Sequence, residues 1–169
     1  MYICSLDAEK AFDSCNWLKL FKSLSQKQVL PHQVVKFLLK LYLNGEAKIK
    51  YKGQFSQYFS LSQGVRQGSV MSPNLYNIYT KDLLQRIQTL NIGTKLPGGV
   101  NTSVIAFADD LILLSPNLKQ LQQMVDECIK FSEEHSIKFN GPKTQFLISG
   151  ISPIPNPTIT LDTALIKIK

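Results

Sequence analysis

The sequence predicts an α+β fold in which a small antiparallel sheet packs on helices, and three observations carry that prediction. Apolar or alternating runs at 2 to 6, 103 to 114 and 144 to 149 have strand character. Longer stretches such as 32 to 43 and Leu118 to His135 repeat apolar residues at helical spacing, so helices alternate with the strands along the chain. The composition supports one packed domain spanning 1 to 169, since 44% of residues are hydrophobic and only 18% charged.

The elements follow in order. Tyr2 to Leu6 is a strand, 8 to 25 a helix, 32 to 43 a second helix, and 46 to 61 a hairpin. Ser72 is a candidate N-cap and Pro73 suits the first turn of a helix over 73 to 90. Residues 103 to 114 read as a hairpin whose turn carries Asp109 and Asp110. In the helix from Leu118 to His135, residues Leu121, Met124, Val125, Cys128 and Ile129 share one apolar face, which marks it as core. A strand over 144 to 149, a proline-rich connection at 152 to 157 and a short alternating strand at 158 to 168 complete the chain. No internal repeat or low-complexity tract interrupts it.

A formal net charge of +7 favours a polyanionic partner, because clustered Lys and Arg gain affinity by releasing counterions from nucleic acid. Most of the lysines are scattered and solvated, but Lys48-Ile49-Lys50-Tyr51-Lys52 alternates and gives a strand one basic side that would track a polyanionic strand. Cys4, Cys15 and Cys128 form neither a Cys-x-x-Cys pair nor a zinc spacing, and an odd number argues against a disulfide framework. With no signal segment and no apolar run of membrane length, a soluble protein of a reducing, intracellular compartment is expected, nucleus and cytoplasm being equally open. His32 and His135 are isolated and receive no role.

The chemistry centres on Phe107-Ala108-Asp109-Asp110, where adjacent acids interrupt an apolar stretch that reads as buried strand. Such carboxylates call for a cation or a basic partner. Asp7 stands at the end of the first strand, so two strands bring three carboxylates to one place. Mg²⁺ prefers oxygen ligands and keeps positions for water and phosphate, and two such ions about 3.5–4 Å apart clamp an in-line phosphoryl displacement. The plainer alternative makes Asp109-Asp110 only the polar tip of a hairpin. Between the acids, Gly64 and Gly68 flank Arg66 and Gln67 in a loop that would let a planar substrate approach the backbone, although an ordinary capped helix entry explains the same residues. It is not a Walker loop, because no Gly-Lys-Ser/Thr follows.

Taken in order, these segments resemble a reverse transcriptase, most closely the polymerase of non-LTR, LINE-like retrotransposons. The first palm motif lies near 2–13 (LDAEKAFD), the second near 61–83 (GVRQGSVMSPNLYNIY), the third near 103–115 (FADD) and the fourth near 136–150 (SIKFNGPKTQFLISG). The resemblance implies a polymerase palm and RNA-directed DNA synthesis. It assigns two Mg²⁺ ions, with Mn²⁺ as the substitute, to Asp7, Asp109, Asp110 and the backbone carbonyl of Ala8. Ala11, Phe12, Gln67 and Gly68 would contact the incoming nucleotide, with Phe12 as a steric gate against a 2′-hydroxyl. Arg66 would lie near the template backbone, and Lys143 would assist departure of pyrophosphate. The plainer readings are a core aromatic for Phe12, a solvated Arg66 and a polar turn at 140 to 143.

RNA template, DNA primer and dNTP are the expected partners, and no membrane is. The chain opens close to the first motif, so complete fingers, a thumb and an endonuclease are expected elsewhere in a full-length polyprotein, or in the intact form of a decayed copy. An inactive remnant that at most binds nucleic acid is therefore the alternative from a different class. An RNA-dependent RNA polymerase also uses acids on a hairpin, but Phe12 speaks against it. A group II intron-type enzyme shares the palm logic, and KAFDSCNW and GVRQGSVMSP favour the retrotransposon.

Overall fold

The computed structural model describes residues 1–150, 154–162 and 164–167. In chain order its elements are β1 (Tyr2–Asp7), α1 (Trp17–Gln26), α2 (His32–Leu43), β2 (Glu46–Ala47), β3 (Lys50–Tyr51), β4 (Gln54–Phe55), β5 (Phe59–Ser60), α3 (Ser72–Thr89), β6 (Val104–Phe107), β7 (Asp110–Ser115), α4 (Leu118–His135), β8 (Gln145–Ile148), β9 (Thr158–Leu161) and β10 (Ala164–Lys167). They fall into two units, one of Met1–Ala11 with Thr80–Lys169 and the other of Phe12–Tyr79.

The first unit is built on an antiparallel sheet of order β6-β7-β1-β8. Along β1 the residues alternate buried and half-buried, as a strand with one face on a core must. Tyr2, Cys4 and Leu6 point inward together with Leu111, Leu113 and Ser115 of β7 and Phe146 of β8. Helix α4 packs on β1 and β7 through Leu121, Met124, Val125, Cys128 and Phe131, all fully buried; Ile129 lies only at the edge of that stripe. The Asn117 side chain caps α4 by accepting from the Lys119 N–H at 2.8 Å, and Ser136 closes it in the left-handed region. The opposite sheet face, with Ile3, Ser5 and Asp7, is not covered to the same degree. The strand expected over 158 to 168 is instead two, β9 pairing with β10 as a hairpin, with Asp162 at φ +52° just after β9. Residues 152, 153, 163 and 168 of the segments expected there lie outside the described residues.

In the second unit α1 starts at Trp17, well after the helix start expected near residue 8. The Asn16 side chain accepts from the Lys19 N–H at 3.1 Å and sets the N-terminus. Upstream, the carbonyls of Phe12 and Cys15 are taken by the N–H groups of Val65 and Gly64, at 2.7 and 2.8 Å, and so are not available to a helix. Trp17 and Phe21 meet Tyr42 of α2 edge-on. The hairpin is nested, β2 pairing with β5 and β3 with β4 around a Lys52-Gly53 turn in which both residues have positive φ, as the tightest hairpin turns require. Ser72 is the first residue of α3 and not its cap, because its hydroxyl donates to the Arg66 carbonyl at 2.6 Å.

Candidate active site

Three hydrogen-bonded strand pairs decide which acids meet. In the register of β1 and β7, Asp7 lies directly opposite Asp110. Directly opposed residues project from the same sheet face with their Cα atoms about 4.5–5.5 Å apart. Asp110 in turn faces Phe107 across the β6–β7 pair, so the connecting turn is Ala108-Asp109, and Asp110 belongs to the strand and not to the turn. Asp109 is half-buried there and Asp110 exposed. Burial therefore is not what strains this dyad, as the apolar sequence around it suggests. Phe107, at 81% exposed, and Ile105, at 51%, line an edge strand. The unfavourable feature is instead the register of Asp7 and Asp110, like charges directly opposed across one strand pair.

A cation already meets that need in part. Lys143 Nζ stands 3.5 Å from Asp7 Oδ2, and the turn before β8 puts it there. The Asn140 N–H donates to the Asp7 carbonyl at 2.8 Å, while the Asn140 carbonyl and side chain accept from the N–H groups of Thr144 and Lys143. Ala8 continues the same contact, bridging to Phe139, and the Glu9 N–H donates to the Lys138 carbonyl at 2.7 Å. Asn140 is thus a positioning residue that the sequence reading missed. Its signal was present, since Asn-Gly-Pro is a turn sequence, but only the strand pairing shows that this turn borders Asp7. Among the described residues no three His, Cys, Asp or Glu side chains stand close enough together to form a ready-made metal site. The donor set at the sheet end is nonetheless all oxygen and doubly negative where Asp7 faces Asp110, which suits a hard divalent ion.

The loop residues are arranged in the second unit. Gly64, at φ +89°, does approach a backbone closely, but it is that of Asp13: a Cβ would lie 2.9 Å from the Asp13 carbonyl oxygen. Its own carbonyl accepts from Trp17 Nε1 at 2.6 Å. Gly68, at φ +79°, has open space where a Cβ would be, so it keeps the access that the sequence assigns to both glycines. Gln67 Nε2 donates to Asp13 Oδ1 at 3.3 Å. Phe12 is half-buried with its ring stacked on Tyr76 at 5.0 Å between centroids, and Arg66 is exposed. Burial pushes up the Tyr42 phenol, only partly offset by a bond to Ser72 and the charge of Arg66. Ala11 is buried at 3% exposure. All three cysteines are free and buried, and no helix among the described residues is long and apolar enough to cross a membrane.

An antiparallel sheet backed by helices, with acids at the ends of its two middle strands, defines the class of polymerase palms. The fold agrees with a C-terminally truncated apo telomerase from Candida tropicalis at a TM-score of 0.68 and 18% identity, over 98% of this chain and 35% of that one. Residues 1–160 match the family described as reverse transcriptase (RNA-dependent DNA polymerase), and the chain belongs to that family. It is 32% identical over 142 residues to the retrovirus-related Pol polyprotein of the type-2 retrotransposable element R2DM of Drosophila melanogaster, matching 84% of this chain. It is also 32% identical over 122 residues to the R2 polyprotein of Nasonia vitripennis, matching 72% of this chain. Both are polyproteins of the non-LTR, LINE-like kind expected from the motifs. The chain spans 13% and 12% of their lengths. Divalent metal dependence is general in the family.

Proposed function

We propose that the chain forms the catalytic palm of an RNA-directed DNA polymerase, adding dNTPs to a DNA primer on an RNA template. The observation that carries this reading is the pairing of Asp7 with Asp110 at the sheet end, with Lys143 drawn to 3.5 Å from Asp7. Asp7, Asp109, Asp110 and the Ala8 carbonyl would hold two Mg²⁺ ions, or Mn²⁺, which when bound activate the primer 3′-hydroxyl for attack on the α-phosphate and stabilise the departing pyrophosphate oxygen. The chain's residues do the rest. Asp7 and Asp110 contribute fixed negative charge on one face, so that electropositive partners gather there and not elsewhere on the sheet. Lys143, tethered through the Asn140 turn, holds a proton at Nζ near that face and can deliver it to the leaving group. Phe12, Gln67 and Gly68 contact the nucleotide, the Phe12 ring being braced by Tyr76, and Arg66 meets template phosphate.

Primer extension on an RNA template with dNTPs and Mg²⁺ tests this directly against an Asp109→Asn, Asp110→Asn double variant. Extension by the parent, lowered at least about a hundredfold in the variant, is the expected result. Absence of extension from folded parent protein would instead favour an inactive palm that at most binds nucleic acid.

A further inference from the structure

The net charge of +7 is not spread over the molecule. Phe12–Tyr79 carries nine Lys and Arg against two acids, Asp13 and Glu46, whereas the remaining residues carry ten of each sign. From Ala47 to Tyr79 there is no acid at all. Within this stretch the nested hairpin is exposed at every residue from Lys48 to Ser60, so its large side chains make no core. Among them are Ile49 at 61% exposure and four rings, Tyr51 at 70%, Phe55 at 56%, Tyr58 at 63% and Phe59 at 45%, in a stretch that also carries Lys48, Lys50 and Lys52.

The interleaving is spatial as well as sequential. Lys50 is directly opposite Phe55 in the β3–β4 register. Lys48 Nζ stands 4.3 Å from the centre of the Phe55 ring and 5.0 Å from that of Tyr58, and Lys50 Nζ lies 5.5 Å from Phe55. Tyr58, Lys48, Phe55 and Lys50 therefore form one strip in which rings and ammonium groups alternate. A face of rings without charge would call for a protein partner, and charge without rings would serve any polyanion. Alternation of the two suits a chain that offers phosphates and unstacked bases together, which is a single strand, since in a duplex the base faces are already stacked.

We propose that the hairpin at 46–60 is a binding surface for single-stranded RNA, with Lys48 and Lys50 on phosphates and Phe55 and Tyr58 as stacking platforms. The choice of RNA over DNA rests on the RNA-directed reading above. The surface itself does not, because it lies outside the four palm motifs.

Fluorescence anisotropy of a labelled, unstructured RNA oligomer with the full 169-residue chain tests it, without dNTP or divalent metal, so that failure of polymerisation and failure of this surface stay separate. A Lys48→Ala, Lys50→Ala variant is expected to lose affinity about tenfold and to lower the slope of log affinity against log salt by about 1.4, the share of two phosphates on a single strand. A Phe55→Ala, Tyr58→Ala variant is expected to lose about tenfold or more with its salt slope kept. Thermal melting matched to the parent establishes that each variant is folded; Lys48→Gln, Lys50→Gln replaces the lysine variant and Phe55→Leu, Tyr58→Leu the aromatic one if it is not. Parent-like RNA binding by both variants, or no RNA binding by the parent, overturns the surface. An equal loss on duplex RNA overturns the single-strand assignment, and tighter binding of a matched DNA oligomer overturns the choice of RNA.

Discussion

Ala108 sits at φ +53° in the two-residue turn that joins β6 to β7, a conformation in which its Cβ is crowded and which glycine adopts freely. The strained residue immediately precedes Asp109, at the position where tight hairpins of this kind take glycine. Replacing it should relieve about 1–2 kcal/mol of backbone strain and return part of that as unfolded-state entropy, so Ala108→Gly is expected to raise stability by about 0.5–1 kcal/mol. Urea unfolding of the two proteins would measure it, and a lower midpoint for the glycine variant would contradict the assignment of strain. The sequence alone shows Phe-Ala-Asp-Asp but not which of those residues bends. The register answers that, and moves Asp110 from the turn into the strand opposite Asp7.

At the level of elements, α3 and α4 are held by one well-shaped ion pair. Arg86 makes two bonds to the Glu134 carboxylate, at 3.1 and 2.6 Å, lies 3.6 Å from Glu127, and stands over the Phe131 ring at 5.4 Å. The pair is at the surface, where isolated ion pairs contribute little, but its planar two-pronged geometry and the ring beneath distinguish it from most. Lysine keeps the charge and loses both the fork and the stacking. Arg86→Lys is therefore expected to cost about 0.5–1 kcal/mol, read as a lower thermal midpoint, and a midpoint equal to the parent's would show that charge alone suffices. Periodicity was sufficient for α2 and α4, whose stripes are long and regular. It failed for the start of α1, because the carbonyls of Phe12 and Cys15, inside the stretch read as helix, are claimed by the loop at 64–65. It failed again at the C-terminal hairpin, where no glycine marks the turn and Asp162 makes it.

At the level of the whole molecule, both units bury thiols. Burial pushes Cys4 and Cys15 up to about 12, pushes Cys128 well above its ordinary value, and takes Tyr79 to about 12 as well. A group that holds its proton more tightly folded than unfolded stabilises the fold below its unfolded pKa and loses that contribution as pH rises toward the folded value. Stability is accordingly expected to hold to about pH 9 and to fall between about 9 and 12, seen as a lower urea midpoint at about pH 10.5 than at about pH 7.5. Equal midpoints would mean that the thiols are not buried in solution.

What the sequence determined by itself was the family and the α+β class, because motif order and long helical stripes are local patterns readable along a chain. It also held the basic stretch at 48 to 52 with Tyr51 inside it, though not that the Phe55 and Tyr58 rings stand against Lys48. Only the tertiary structure decided that Asp7 faces Asp110, that Lys143 reaches Asp7 through a turn anchored by Asn140, and that Gly64 serves packing while Gly68 stays open. Each of these depends on strand register or on a backbone contact between residues far apart in sequence. A shift of one residue in the β1–β7 pairing would preserve every motif and send the two carboxylates to opposite faces of the sheet.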